Sequence, residues 1–98
     1  MITIKFGQYS VDARGHAGSA PYGSDLVCAA VSTLLYALIQ GLDCLEGVDV
    51  TVWDLQAGNG HVEATGVPPE GMGMFMLTKA ALTHLASQFP DSLQIASK

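Results

Sequence analysis

Val48-Asp49-Val50-Thr51-Val52-Trp53, then Gly58-Asn59-Gly60, then His61-Val62-Glu63-Ala64-Thr65, is the stretch on which the fold turns. Apolar and polar residues alternate strictly before the glycine-flanked asparagine and again after it. Alternation of period two puts one set of side chains on a core face and the other toward solvent. Two such runs joined by a short turn read as an antiparallel hairpin. The same reading applies at the start of the chain. Ile2, Ile4 and Phe6 alternate with Thr3 and Lys5, Gly7-Gln8 turns, and Tyr9 to His16 returns as a second strand.

Between the hairpins the period changes. Leu26, Val27, Ala30, Val31, Leu34, Leu35, Leu38, Ile39 and Leu42 recur at steps of three and four, the spacing of a helix apolar over much of its girth. Ser24 or Asp25 is the expected N-cap, and the apolar stripe through Leu42 and Leu45 puts the end near Gly47. Gly18 to Gly23, with Ser19 and Pro21, reads as a loop. Pro68-Pro69-Glu70-Gly71 opens a second helix, Met72 to about Gln88. Pro90 stops it, and Leu93-Gln94-Ile95 adds an edge strand. The expected class is α+β, a mainly antiparallel sheet with two helices packed on one face, in the order ββαββαβ.

Ninety-eight residues make one domain. Their apolar share of 49% against 13% charged is high for a chain so short, and the surplus favours a homodimer. A net charge of −5, with Lys5, Arg14, Lys79 and Lys98 the only strong cations, argues against direct nucleic-acid binding. The run Met1 to Phe6 lacks the basic region that opens a signal peptide, and breakers interrupt the apolar runs, so no membrane segment is expected. Cys28 and Cys44, sixteen residues apart on one helix, stand about 24 Å apart, too far for a disulfide. Free thiols and no export signal read as cytoplasmic.

The chemistry concentrates in Gly15-His16-Ala17-Gly18 and Asp25-Leu26-Val27-Cys28-Ala29-Ala30-Val31-Ser32. A thiol becomes a nucleophile at neutral pH when a base or a positive field favours its thiolate. Cys28 is expected in the first turn of the helix, where unpaired amides supply such a field, and His16 can approach it across the loop. Small neighbours leave the imidazole accessible, which suits a general base. Asp25 is either an N-cap or a group that orients His16. Ser32 lies one turn beyond Cys28 and either bonds back to a carbonyl or donates to the reacting group. Cys44 reads as structural, and His61, beside Glu63 and Thr65, as solvated. The chain has no zinc-ligand spacing, no P-loop and no dinucleotide glycine pattern, so no metal and no cofactor are expected. Nor is there a C-x-x-C, which disfavours a thiol redox protein.

These residues resemble the signature of the ribosomal-processing cysteine protease family, called Prp. Gly15-His16-Ala17-Gly18 and Tyr22 to Ser32 carry the specific part, including the twelve-residue interval from His16 to Cys28. The resemblance implies a cysteine endopeptidase of bacterial cytoplasm, working as a homodimer. Its implied substrate is the short N-terminal extension of a large-subunit ribosomal protein, the twenty-seventh of its series, cut after Phe-Phe and before Ala-Ser-Lys. It further implies Cys28 as nucleophile, His16 as general base, Asp25 and Ser32 in supporting roles, and a mobile cover over the peptide from Gly18 to Gly23. No third catalytic residue follows, so a Cys-His dyad is the expectation. The alternative is a non-catalytic ribosome-associated binding module in which Cys28 and His16 merely pack. Leu93-Gln94-Ile95-Ala96-Ser97-Lys98 also resembles the substrate motif Leu-Gln-Phe-Phe-Ala-Ser-Lys with one residue missing, although an edge strand explains the same alternation.

Overall fold

Ile2 and Ile4 are fully buried while Lys5 between Ile4 and Phe6 is exposed, so the alternation in the sequence is realised as a strand with one core face. A computed structural model describes residues 1–15, 21–56 and 59–96, with only the backbone for residues 21–25 and 56. Its elements run β1 (Ile2–Gly7), β2 (Ser10–Gly15), α1 (Pro21–Asp43), β3 (Asp49–Gln56), β4 (Asn59–Thr65), α2 (Pro69–Gln88) and β5 (Leu93–Ile95). This is the expected ββαββαβ order.

The five strands form one sheet in the order β3-β4-β2-β1-β5. β1 pairs antiparallel with β2, β2 with β4 and β4 with β3, so the two hairpins join through β2 and β4. β5 lies parallel to β1, with Ile2 opposite Leu93 and Ile4 opposite Ile95. The Ala96 N–H extends this edge by donating to the Ile4 carbonyl at 2.8 Å. The C-terminal run is therefore a sheet edge through residue 96, while Ser97 and Lys98 lie outside the described residues.

One core joins the sheet to both helices. Ile2, Ile4, Val11, Ala13, Val62 and Ala64 meet Val27, Val31, Leu35, Leu38 and Leu42 of α1 and Phe75 and Leu82 of α2. The window Leu26–Asp43 of α1, with mean hydropathy 1.6, is long and apolar enough by length and composition to cross a bilayer, contrary to the expectation from breakers. In the fold its apolar stripe is what packs the sheet, as expected of a central helix. Leu42 has no exposed surface. Leu42→Ala should therefore cost about 3 kcal/mol through lost burial and the cavity left behind. The check is a lower urea midpoint with an unchanged slope.

Three helix boundaries differ from the sequence expectation. α1 begins at Pro21. A proline is preorganised for the first helical position, and its missing N–H is no loss there. α2 likewise opens at Pro69, before Met72, and the Met72 N–H donates to the Pro68 carbonyl at 3.0 Å. At its other end α1 stops at Asp43, and tighter turns follow. Cys44 N–H donates to the Gly41 carbonyl and Leu45 N–H to that of Leu42, each at 3.1 Å. Those turns keep Leu45 packed against the core without prolonging the helix. Gly41 does not stop the helix. A Cβ there would sit 3.0 Å from the Met74 Sδ, so its absence lets α2 approach α1 closely.

Candidate active site

Cys28 lies on α1 as a free, half-buried thiol, packed at the margin of the core. Because the helix starts at Pro21, Cys28 sits about two turns inside it, not in the first turn. This corrects the electrostatic expectation. The field of a helix terminus falls off within its first turn, and the amides without intrahelical partners belong to that turn. The amide of residue 28 belongs to the ladder and points back along the helix. The helix terminus therefore contributes little to the field at this thiol.

The same shift revises Asp25 and Gly23. Asp25 is the fifth residue of α1 and cannot be its N-cap, since that position lies outside the helix. Gly23 is in the first turn of α1, which removes it from the loop. The α-helical spacing places residues 25, 28 and 32 in successive turns along one side. Ser32 is half-buried there. Leu26, two residues before Cys28 and so on another side of the helix, is 60% exposed. His16 and Gly18 lie outside the described residues, as does the side chain of Asp25.

The end of β2, where the chain enters residue 16, is held from two sides. Gly15 pairs with Ile2 of β1 and has φ +117°. A Cβ on Gly15 would lie 2.2 Å from the Met1 carbonyl oxygen, so only glycine fits. From the other side Asn59 of β4 makes two bonds to the same residue. Its Oδ1 accepts from the Gly15 N–H at 2.9 Å, and its Nδ2 donates to the Gly15 carbonyl at 2.8 Å. Sequence reading saw Asn59 only as a turn residue. The nearest signal was its place between Gly58 and Gly60 at a hairpin end, which says nothing of a distant partner.

The outer face of the sheet, away from the helices, carries a polar cluster. Trp53 and His61 are directly opposite across β3 and β4, and their rings stack at 3.9 Å with a 12° tilt. The His61 Nδ1 lies 2.9 Å from Asp12 and its Nε2 3.2 Å from Glu63. His61 is thus 16% exposed and bonded on both nitrogens, where a solvated side chain was expected. The cross-strand tryptophan is the cause, because a ring on the opposed residue covers the imidazole. Arg14 reaches Asp12 and Asp54, and the bond to Asp54 is the main reason its guanidinium holds its proton even more firmly than usual. Asp54 has φ +55° at a bulge where Asp54 and Leu55 oppose Gly60. Among the described residues, no group of three His, Cys, Asp or Glu is placed to hold a metal ion.

A cavity of about 640 Å³ opens between the β1–β2 turn and α2, lined by Phe6, Tyr9, Phe75, Met76 and Lys79 among others. It lies at the turn end of the first hairpin, whereas Gly15 and the entry to residue 16 are at the opposite end.

The fold and the site define a small α+β protein that presents a half-buried cysteine from its core helix and carries a strand end bonded by a side chain from a neighbouring strand. The sequence matches the family model described as Cysteine protease Prp over residues 1–94, and the chain belongs to that family. It is a cysteine protease rather than the non-catalytic binding module. Solved structures agree on the fold. A ribosomal processing protease Prp from S. aureus, described as essential and in complex with a covalently linked product peptide, is 22% identical and has a TM-score of 0.81, with 100% of both chains covered. The same S. aureus protease with a substrate peptide gives 19% identity and a TM-score of 0.79, over 99% of this chain and 97% of that one. SMU.848 from Streptococcus mutans is 29% identical with a TM-score of 0.76, over 97% of this chain and 91% of that one. No curated protein matches the chain.

Proposed function

We propose that this protease removes the short N-terminal extension of a bacterial large-subunit ribosomal protein, the twenty-seventh of its series. Cleavage follows a Phe-Phe pair and precedes Ala-Ser-Lys, with Cys28 as nucleophile and His16 as general base. The observation that carries this reading is the free Cys28 on the core helix, inside a Prp family match that spans residues 1–94. The S. aureus protease of the same fold has been seen with a substrate peptide and with a covalently linked product peptide, which supports peptide cleavage as the reaction.

In this mechanism His16 takes the proton of Cys28, and the thiolate attacks the carbonyl carbon of the second Phe. The resulting tetrahedral oxyanion collapses as the imidazolium gives its proton to the departing Ala amine, which leaves a thioester on Cys28. His16 then deprotonates a water, which attacks the thioester. The carboxylate product leaves, and Cys28 recovers its proton. With Cys28 about two turns inside α1, the helix start supplies little of the activation, so His16 carries nearly all of it. Ser32, one turn beyond Cys28, and Asp25, one turn before it, are assigned supporting roles. The cover over bound peptide is assigned to the segment beginning at Gly18.

The enzyme is further proposed to work as a cytoplasmic homodimer. Two free cysteines fit a reducing compartment. The large exposed side chains Met76 and Leu77 on α2, at 71% and 72%, fit a surface that a second copy covers.

A peptide carrying Leu-Gln-Phe-Phe-Ala-Ser-Lys tests the reading. Under reducing conditions it should be cut once, between the second Phe and Ala, as read by mass spectrometry of the two products. Replacing the Phe pair with Ala-Ala should lower kcat/KM by at least about a hundredfold, as expected when two buried aromatic contacts are lost. Cleavage elsewhere, or equal turnover of the Ala-Ala peptide, would remove the proposed specificity.

A further inference from the structure

We propose that Asn59 is a positioning residue for His16, its side-chain amide clamping the peptide from which the imidazole-bearing residue departs. The inference rests on the Cys28–His16 reading above.

The backbone ladder between β2 and β4 ends at Ala13 opposite Gly60, two residues short of Gly15. Past that point the Asn59 side chain replaces the missing backbone partner, with its oxygen on the Gly15 N–H and its nitrogen on the Gly15 carbonyl. An asparagine amide offers a donor and an acceptor side by side, as a strand backbone does. The bond to the carbonyl matters most. The peptide linking residues 15 and 16 is planar, so fixing the Gly15 oxygen fixes the direction in which the chain enters residue 16.

A turn asparagine ordinarily bonds its own neighbours. Two bonds of Asn59 reach 44 residues away, and both go to the single residue that precedes the general base. The bonds also complete the pairing of β2, since the Ile2 N–H donates to the Ser92 carbonyl on the far side of β1 and the Gly15 N–H and carbonyl face β4. What they add is orientation at the point where β2 ends. A general base displaced by about 1 Å from its nucleophile can lose about a hundredfold in rate, so the clamp has a catalytic consequence without touching substrate.

The test uses the alkylation rate of Cys28 by iodoacetamide at neutral pH, a readout independent of substrate identity. It is run in a Cys44→Ser background, because Cys44 is also a free, exposed thiol. Four proteins are compared: the parent, His16→Ala, Asn59→Ala and the double variant. Asn59→Ala should slow alkylation and lower kcat about ten- to a hundredfold while KM stays within about twofold. The double variant should be no slower in alkylation than His16→Ala alone, because a residue acting through His16 has nothing left to act on. Parental alkylation and turnover in His16→Ala would overturn the dyad, and the clamp with it. Slowed His16→Ala beside a parental Asn59→Ala overturns the clamp alone, as does a double variant whose losses multiply. If Asn59→Ala does not fold, Asn59→Asp takes its place. That variant keeps the acceptor for the Gly15 N–H and loses the donor to its carbonyl, and should show the same loss of kcat.

Discussion

Cys28→Ala should abolish cleavage of the Leu-Gln-Phe-Phe-Ala-Ser-Lys peptide, lowering kcat by about 10⁴-fold or more while the fold and the peptide affinity persist. The size follows from the chemistry. Without the sulfur no acyl-enzyme forms, and the remaining groups can only bind and orient the peptide. The fold should tolerate the change because Cys28 is half-buried at the core margin, and alanine keeps the helix. His16→Ala should fall almost as far. Alone it should cost nearly as much as both changes together, since nucleophile and base act as one unit. Cys44→Ser separates the two thiols. Cys44 is exposed, its Sγ donates to the Gln40 carbonyl at 3.3 Å, and it lies past the end of α1, so this variant should keep parental turnover. Steady-state kinetics with a fluorogenic peptide, beside circular dichroism, reads all three. Retained turnover in Cys28→Ala would end the thiol mechanism.

Gly15→Ala should show a large effect on two quantities at once. The position has φ +117°, a conformation that L side chains rarely adopt, and the added methyl would lie 2.2 Å from the Met1 carbonyl oxygen. That oxygen is backbone, so relief requires the start of β1 or the end of β2 to move. We expect about 2–4 kcal/mol of destabilisation, combining dihedral strain with lost pairing at Ile2. For a domain of this length that lowers Tm by roughly 10–25 °C. Turnover should drop beyond what the folded fraction explains, because the displaced strand end carries the Asn59 clamp and leads into residue 16. Thermal denaturation and kcat, measured well below the variant's Tm, separate the two effects. A variant as stable as the parent would show that the hairpin end accommodates a side chain without strain.

Much of the architecture was legible because its signals are local. The alternation of Ile2 and Ile4, of Val50 and Val52 and of Val62 and Ala64 follows from strand geometry alone, and the three- and four-residue steps from Val27 to Leu42 from helix geometry. The proposed site residues were legible only as residue types at a spacing, a histidine twelve residues before a cysteine. The helix starts were not. Ser24 and Asp25 are good caps and Pro21 and Pro69 good first residues, and local preference did not rank them. Cys28 consequently moved from a helix terminus into a helix interior, away from the field expected to act on it.

His61 shows the second limit. Its place on the outward face was evident from the alternation, but its cover depends on register. Trp53 lies opposite His61 across one hairpin, and Asp12 opposite it on the neighbouring strand. A stack across β3 and β4 and a bond to β2 are properties of the assembled sheet.

By itself the sequence determined which segments are strands and helices, that one histidine precedes one cysteine by twelve residues, and that only two thiols exist. Each is a property of neighbouring residues and of periodicities that chain geometry imposes. Only the tertiary structure decided how the hairpins join, which glycine lies against the Met1 carbonyl, and that Asn59 closes on Gly15 from 44 residues away. Those contacts form when distant segments dock, and no local pattern marks which donor will meet which acceptor.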